Sequence, residues 1–306
     1  MSNIAKNIII DITGKTLGAT VIINGKEYKY KTEDLKIIRD TVKFDNAIID
    51  INGYVRSKSG NLNKEIYKTR PNAIEQSEIS KAQKLKSMNP MTLYHGNKDK
   101  DMIPKYGAGK KENDYGQGLY TTPDEELGKE WAYSTYSKGD QGYIHKYALN
   151  IEGLKILDLT EKHSLHWIAE LVYNRTINTE GKEALQDTID DFISQYKLDT
   201  SGYDIIIGYR ADDSYFTYAI DFVSGSIYLD TVEKALRNGD LGLQVFIKSK
   251  KAFAQLGNAV SIEPVDISYS RKYRTRDLNA RERYKQIKKN DNAMPRRDRK
   301  KITDFI

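Results

Sequence analysis

The feature that most constrains this chain is a pair of glycine-containing motifs within residues 93–131. The first motif ends a short apolar strand at His95 and continues into Gly96, which has no side chain to keep a ligand away from the main chain. The second motif passes Gly118 and enters a β-favouring run that presents Tyr120. An imidazole, bare glycine backbone and a tyrosine together predict a slot for a flat polar ring.

A helix is predicted directly after this slot. Residues 122–125, Thr-Pro-Asp-Glu, are typical of a helix start, with a hydroxyl cap, a proline in the first turn and acidic residues that match the helix dipole. Trp131 lies on one side of this helix at helical spacing. Two interpretations stay open for Trp131, because it can pack in the core or cover the second face of the ring.

Three further positions carry candidate site residues. Gln244 interrupts an apolar strand over 241–247, and a buried amide must find hydrogen-bond partners or destabilise the fold. Asp212 and Asp213 follow a predicted buried strand over 203–208, where they either belong to a site or cap the next helix. Arg175 ends an amphipathic segment, and a structural ion pair is the interpretation that the residues alone favour.

Composition excludes several classes of chemistry. The chain of 306 residues has no cysteine, which rules out disulfides, cysteine-based zinc sites and thiol catalysis. Its four histidines show no spacing typical of a metal site, so we expect no metal cofactor. No apolar run is long enough to span a membrane, and the first residues lack the pattern of a signal peptide. We therefore expect a cytoplasmic protein with no membrane partner, in the host cytoplasm if it is phage-encoded or injected.

Charge is concentrated near the end of the sequence. Residues 271–301 hold 14 Lys and Arg against 4 Asp and Glu, whereas the whole chain carries only +6. The rest of the chain is therefore mildly acidic. We expect residues 263–306 to be a basic, flexible tail that contacts nucleic acid or an acidic partner through 271–301. A solvated tail without a partner is the alternative.

The remaining sequence predicts a small module and a connection. Residues 1–70 predict an α+β unit, with an Asn24-Gly25 hairpin turn and a helix from Thr32 to Val42. Residues 71–90 predict a linker helix. A second domain is then expected over 91–262.

The motifs together resemble the ADP-ribosyltransferase superfamily, in the branch whose signature is His-Tyr-Glu. They resemble most closely an uncharacterised bacterial and phage family of ADP-ribosyltransferase-like toxin domains, over roughly residues 91–257. The residues that carry this resemblance are Tyr94-His95-Gly96, Gly116 to Tyr120, Asn174-Arg175, Tyr203-Asp204 with Gly208, Ala211-Asp212-Asp213, and Gln244.

The resemblance implies an α+β fold whose core is a split pair of small β-sheets with helices, and NAD as a substrate in the cleft between the sheets. By resemblance, His95 holds the adenosine ribose, the Gly96 main chain holds the carboxamide and Tyr120 stacks on the nicotinamide. The remaining NAD-binding residues are then Tyr94, Gly118, Trp131 and Arg175. The remaining catalytic residues are Gln244, in the position that usually holds Glu, and Asp212 or Asp213 as a base.

The resemblance therefore predicts a mono-ADP-ribosyltransferase that modifies a protein or nucleic acid, as a toxin or phage effector with an antitoxin-like partner. The amide of Gln244 can hydrogen-bond a ribose but cannot supply negative charge to a cationic transition state. Polymer elongation is accordingly not expected. The alternatives are a catalytically silent NAD- or nucleotide-binding module, and a phage structural protein whose basic tail binds nucleic acid or a partner.

Overall fold

The chain is a mixed α and β protein in a computed structural model. The structure describes residues 7–11, 18–23, 26–31, 47–49, 55–57, 76–133, 141–211, 213–237, 242–293 and 299–306. Within these ranges the strands form mostly antiparallel sheets, and helices cover these sheets. The expected α+β class is therefore confirmed.

The N-terminal residues contain two small antiparallel sheets. Their strands are β1 (Asn7–Asp11), β2 (Gly18–Ile23), β3 (Lys26–Lys31), β4 (Ala47–Ile49) and β5 (Val55–Ser57). Strands β1 to β3 form one sheet, and β4 pairs with β5. Ile23 pairs with Lys26, which leaves the two-residue connection that Asn24-Gly25 predicts. The helix predicted from Thr32 to Val42 lies outside the described residues.

A three-stranded antiparallel sheet forms one half of the body. Its strands are β6 (Met91–Asn97), β8 (Gly142–Leu149) and β12 (Ser261–Val265), with β8 in the centre. Side chains alternate between the two faces of a strand. Met91 and Leu93 therefore enter the core on the face that also carries His95, whereas Tyr94 lies on the opposite face.

A four-stranded sheet forms the other half. Its strands are β7 (Leu119–Thr121), β9 (Ile156–Asp158), β10 (Ile205–Tyr209) and β11 (Leu243–Ile247), in the order β7-β11-β10-β9. Only β9 and β10 pair in parallel. Every residue of β10 and β11 is buried, which explains why their sequences are nearly continuous apolar runs.

One β-bridge joins the two sheets. Tyr94 and Thr122 exchange both main-chain hydrogen bonds, at 2.8 and 2.9 Å. Thr122 is thus still in extended chain, and the helix cap is Asp124, whose side chain accepts from the amides of Glu126 and Leu127. The predicted helix after the slot is present, but it begins two residues later than its hydroxyl cap suggested.

Eight helices surround these sheets in the described residues. They are α1 (Gln76–Lys86), α2 (Glu125–Trp131), α3 (Ser164–Asn174), α4 (Glu183–Tyr196), α5 (Asp213–Val223), α6 (Leu229–Arg237), α7 (Lys250–Leu256) and α8 (Ser268–Ala293). Helix α1, predicted as a linker, packs into the main core through Ala82 and Leu85. Its Lys86 lies 2.6 Å from the buried Asp158.

The stretch after residue 263 differs from the flexible tail that its composition predicts. It completes strand β12, forms the 26-residue helix α8 and ends with Ile302 and Phe305 buried in the core. Tyr284 of α8 packs on Tyr218 with ring centroids 3.9 Å apart. Helix α8 is held by few apolar side chains and by ion pairs. Its sequence therefore lacks the apolar period from which an amphipathic helix is predicted.

Candidate functional site

A cavity of about 590 Å³ lies where β6 and β7 separate. This volume falls within the range of roughly 300–1,000 Å³ that is typical of small-molecule sites. Seven of the predicted site residues line it, namely His95, Gly96, Gly118, Tyr120, Trp131, Arg175 and Gln244. Residues from both sheets and from α2 therefore converge on one space.

Tyr94 is not among the lining residues. The two-residue period of β6 turns its ring to the opposite face, where it packs near Ala132, Ile144 and Val265. Tyr94 contributes to the site only through the main-chain bridge that joins the sheets. Asp212 lies outside the described residues, and only the backbone of Asp213 is described, as the first residue of α5.

His95 is fixed as a neutral imidazole. Its Nδ1 lies 2.7 Å from the Tyr120 carbonyl, which can only accept, so Nδ1 carries the proton. The unprotonated Nε2 then accepts a long hydrogen bond of 3.4 Å from the Asn97 amide. Burial, with a smaller contribution from the neighbouring His145, lowers the pKa of His95 to about 4. The site thus presents an imidazole acceptor at neutral pH.

Gly96 has two faces with different surroundings. A Cβ on Gly96 would lie 2.2 Å from the Gly128 carbonyl oxygen and 2.3 Å from the Ala132 nitrogen, so the end of α2 occupies that side. The main-chain groups face elsewhere. Tyr94 directs its N–H and C=O away from β8, and by the alternation of an antiparallel ladder Gly96 does the same. The N–H and C=O of Gly96 therefore point into the gap between β6 and β7.

Tyr120 is held at both ends of its side chain. Its hydroxyl donates to the Gly116 carbonyl at 2.8 Å and accepts from the Tyr115 amide at 2.8 Å. Its ring packs on Phe246 with centroids 4.8 Å apart. Burial raises the pKa of the hydroxyl, so this group stays neutral. Tyr120 thus closes the loop over residues 115–118, here called the glycine loop, and presents ring atoms to the cavity.

Tyr115 anchors the glycine loop to the core through its hydroxyl group. Its hydroxyl donates to the Tyr209 carbonyl at 2.6 Å and accepts from the Trp167 indole at 2.9 Å. A Cβ at Gly208 would lie 2.3 Å from the Tyr115 oxygen, so a glycine is required in β10 at this position. Gly208, part of the resemblance, therefore has a packing role beneath the cavity.

Gln244, the second residue of β11, lines the cavity. It is 6 % exposed, and its Oε1 has no hydrogen-bond partner among the described residues. A buried amide oxygen without a partner costs about 1–3 kcal/mol. An unpartnered amide oxygen in a residue that lines the cavity agrees with the sequence argument for a polar role at this position.

Trp131 and Arg175 complete the cavity walls. Trp131 is half-buried and lines the cavity. Of the two interpretations, the structure therefore agrees with a place at the cavity and not in the core. Arg175 lies 3.4 Å from Asp114, donates to the Ala211 carbonyl at 3.3 Å and covers the Phe216 ring. The ion-pair interpretation of Arg175 is therefore correct, and the pair forms part of the wall.

Sequence reasoning missed several polar lining residues, among them Asp114, Arg210 and Tyr273. Asp114 is 2 % exposed and accepts from the Ala211 amide at 3.0 Å. Arg210 is buried beneath the ring of Tyr273, with its guanidinium carbon 5.8 Å from the ring centroid. A charged residue directly after a buried strand was a usable signal for Arg210. Tyr273 belongs to α8, and nothing local in the sequence indicates that α8 reaches the cavity.

Neither a metal-binding cluster nor a membrane-spanning helix occurs in the described part of the chain. Those residues contain no group of three or more His, Cys, Asp or Glu side chains placed to hold a metal ion. Within the same ranges, no helix combines the length and apolar character needed to cross a membrane.

Comparison with known proteins identifies a family for this domain. Residues 91–257 match the family described as "Protein of unknown function (DUF3990)". No curated protein and no solved structure matches the chain. Because the matched residues make up more than half of the sequence, the chain belongs to this family of unknown function.

Proposed function

We propose that this protein is a mono-ADP-ribosyltransferase that uses NAD to modify a macromolecule. The observation that carries the proposal is the cavity in which His95, Tyr120 and Gln244 meet. These three residues come from strands far apart in the sequence and occupy the places of the His-Tyr-Glu signature by resemblance. The split pair of small sheets joined at one bridge agrees with the core that the resemblance implies.

The polar groups of the cavity match the parts of NAD. Nicotinamide carries a carboxamide that both donates and accepts, and the Gly96 main chain offers a C=O and an N–H on the cavity side. The Tyr120 ring and Trp131 supply flat surfaces for the pyridine ring. The Nε2 atom of His95 accepts from one ribose hydroxyl, and Oε1 of Gln244 accepts from another.

Positive charge in the cavity suits the pyrophosphate. Lys105, Lys110, Arg175 and Arg210 line it, against one described carboxylate, Asp114, which is paired with Arg175. The loop over 97–114 supplies the two lysines. A net basic cleft attracts a dianionic pyrophosphate and lowers the cost of its desolvation.

In the proposed reaction, the C1″–N bond of NAD breaks and nicotinamide leaves with the bonding electron pair. A nucleophile of the acceptor forms the new bond to C1″ and releases its proton. Asp212 and Asp213 follow directly on Ala211, which lines the cavity, so either carboxylate is a candidate base. Positioning contributes most of the rate, because Gln244 supplies a hydrogen bond and no charge.

One observation favours a second candidate, an NAD-binding module without turnover. In the described part of the cavity the only carboxylate is tied to an arginine, so no free negative charge faces the departing ribose. Binding and turnover therefore require separate measurements.

The test combines calorimetric titration with NAD and an assay of nicotinamide release in cell lysate. We expect wild type to bind NAD and release nicotinamide, and Tyr120→Ala to lose both. Tyr173→Ala, at a tyrosine that is 58 % exposed and outside the cavity, serves as the matched control and should behave as wild type. Binding without release from any lysate supports the second candidate. Absence of NAD binding to the folded wild type contradicts both.

A further inference from the structure

A second concave surface lies beside the cavity, between α2 and α8. This groove, of about 480 Å³, is lined by Glu130, Arg271, Lys272, Thr275, Arg276, Asn279 and Arg283. It adjoins the cavity directly, because Glu130 precedes Trp131 and Lys272 precedes Tyr273, and both of these aromatic residues line the cavity. Neighbouring residues of α2 and of α8 therefore line the groove and the cavity.

The groove is strongly basic. Its one carboxylate, Glu130, is largely buried and lies 3.0 Å from Arg276, which neutralises it. Lys272 lies 3.4 Å from Glu126. Arg271 and Arg283 are exposed and have no ion pair with any described residue. The groove thus retains uncompensated guanidinium groups, which bind phosphate through paired N–H donors.

Its length suits a chain of phosphates. Arg271 and Arg283 are twelve residues apart on α8, a span of about 18 Å at the rise of an α-helix. None of the lining side chains is apolar. A protein partner normally requires an apolar centre in its interface, whereas a nucleic-acid backbone requires mainly positive charge.

We propose that this groove binds the sugar-phosphate backbone of a single-stranded nucleic acid, and that this strand is the acceptor whose base or sugar enters the cavity past Tyr273. The second clause rests on the proposed function. A single strand is favoured over a duplex because a base must leave its pair and its stack before it can enter a cavity. In the transfer, a base nitrogen or sugar hydroxyl forms the bond to C1″, nicotinamide leaves with the electron pair of the broken bond, and the proton of the nucleophile passes to the base of the proposed function.

The first experiment measures binding without NAD, by fluorescence anisotropy of a labelled single strand of about 16 nucleotides. We expect the logarithm of the binding constant to fall with the logarithm of salt concentration with a slope of about −1.4, at about −0.7 for each of the two arginines without an ion pair. The double variant Arg271→Glu/Arg283→Glu should weaken binding at least tenfold and flatten this slope.

The matched control is Lys162→Glu/Lys182→Glu, which changes the charge by the same amount at exposed positions outside both cavities. It should bind the strand within about twofold of wild type. An equal loss in the control and the groove variant refutes a defined groove. Stronger binding of polyglutamate or of duplex DNA than of the single strand also overturns the proposal.

The second experiment separates this inference from the proposed function. With labelled NAD, the groove variant should lose transfer to the added strand while nicotinamide release in the absence of the strand is unchanged. Nicotinamide release with no label on the bound strand refutes the acceptor clause. Strand binding without NAD binding leaves the groove standing and refutes the proposed function.

Discussion

Replacing Gly96 by alanine tests the arrangement on which the site depends. The new Cβ would lie 2.2 Å from the Gly128 oxygen, 2.3 Å from the Ala132 nitrogen and 2.8 Å from the Trp131 carbonyl carbon. All three are backbone atoms, so no side-chain rotation relieves the contact. Ordinary contact begins near 3.4 Å, so β6 and α2 must separate by about 1 Å.

Overpacking of this kind typically costs 1–3 kcal/mol, and rigid neighbours place Gly96→Ala at the upper end, about 3 kcal/mol. For a domain of this size that corresponds to a melting temperature about 6–12 °C lower. Urea unfolding followed by tyrosine and tryptophan fluorescence measures the free energy directly. The displaced end of α2 carries Trp131, so NAD affinity should fall as well.

Gly202→Ala is the matched control, because no atom lies within 4 Å of its Cβ and its φ is ordinary. It should be as stable as wild type or up to about 1 kcal/mol more stable. Equal unfolding midpoints for the two alanine variants would refute the close packing of β6 on α2. Unchanged stability would contradict this packing even if NAD affinity fell, because alanine keeps the main-chain groups of residue 96 and acts only through its Cβ.

Three further predictions follow from the same contacts. Gln244→Glu places a carboxylate where the resembled enzymes have one, so we expect nicotinamide release to rise at least tenfold. Burial of the carboxylate should lower the free energy of unfolding at neutral pH by about 1–3 kcal/mol. If nicotinamide release does not rise, charge at this position does not limit the reaction. Tyr115→Phe leaves buried polar groups of Trp167 and Tyr209 with fewer partners, so urea unfolding should show a loss of about 1–3 kcal/mol and NAD affinity should fall as the glycine loop loosens. His95 has a folded pKa of about 4 and an unfolded value near 6.5. The unfolded chain therefore binds the extra proton first, and stability is lost as pH falls from about 6.5 to 4, by at most about 3 kcal/mol. His95→Gln should lose less stability than wild type over that interval, and equal losses would contradict the assigned pKa.

Strands with strong apolar runs were predictable from the sequence. The prediction over 241–247 corresponds to β11 at Leu243–Ile247, and that over 203–208 corresponds to β10 at Ile205–Tyr209. Both strands are buried on two faces, so their composition alone identifies them. Gln244 was recognisable for the same reason, because a lone amide in such a run must have a polar purpose.

The direction of a side chain was less predictable where all residues of a motif were assigned to the same site. Tyr94 belongs to the same motif as His95 and Gly96, yet the period of the strand turns it away from the cavity. The cap of α2 is Asp124 and not the predicted Thr122, because the bridge to Tyr94 holds Thr122 in extended chain. Both differences arise from strand pairing, which a single segment does not encode.

The sequence by itself determined the candidate ring slot at His95, Gly96 and Tyr120, because local chemistry at strand ends identifies such residues. Only the tertiary structure decided that Gln244 faces the same cavity, that Asp114 and Arg210 belong to its wall, and that α8 docks beside it. Helix α8 shows the reason most clearly. Its anchors are Tyr284 on Tyr218 and ion pairs to other helices, and these long-range contacts leave no period in the local sequence.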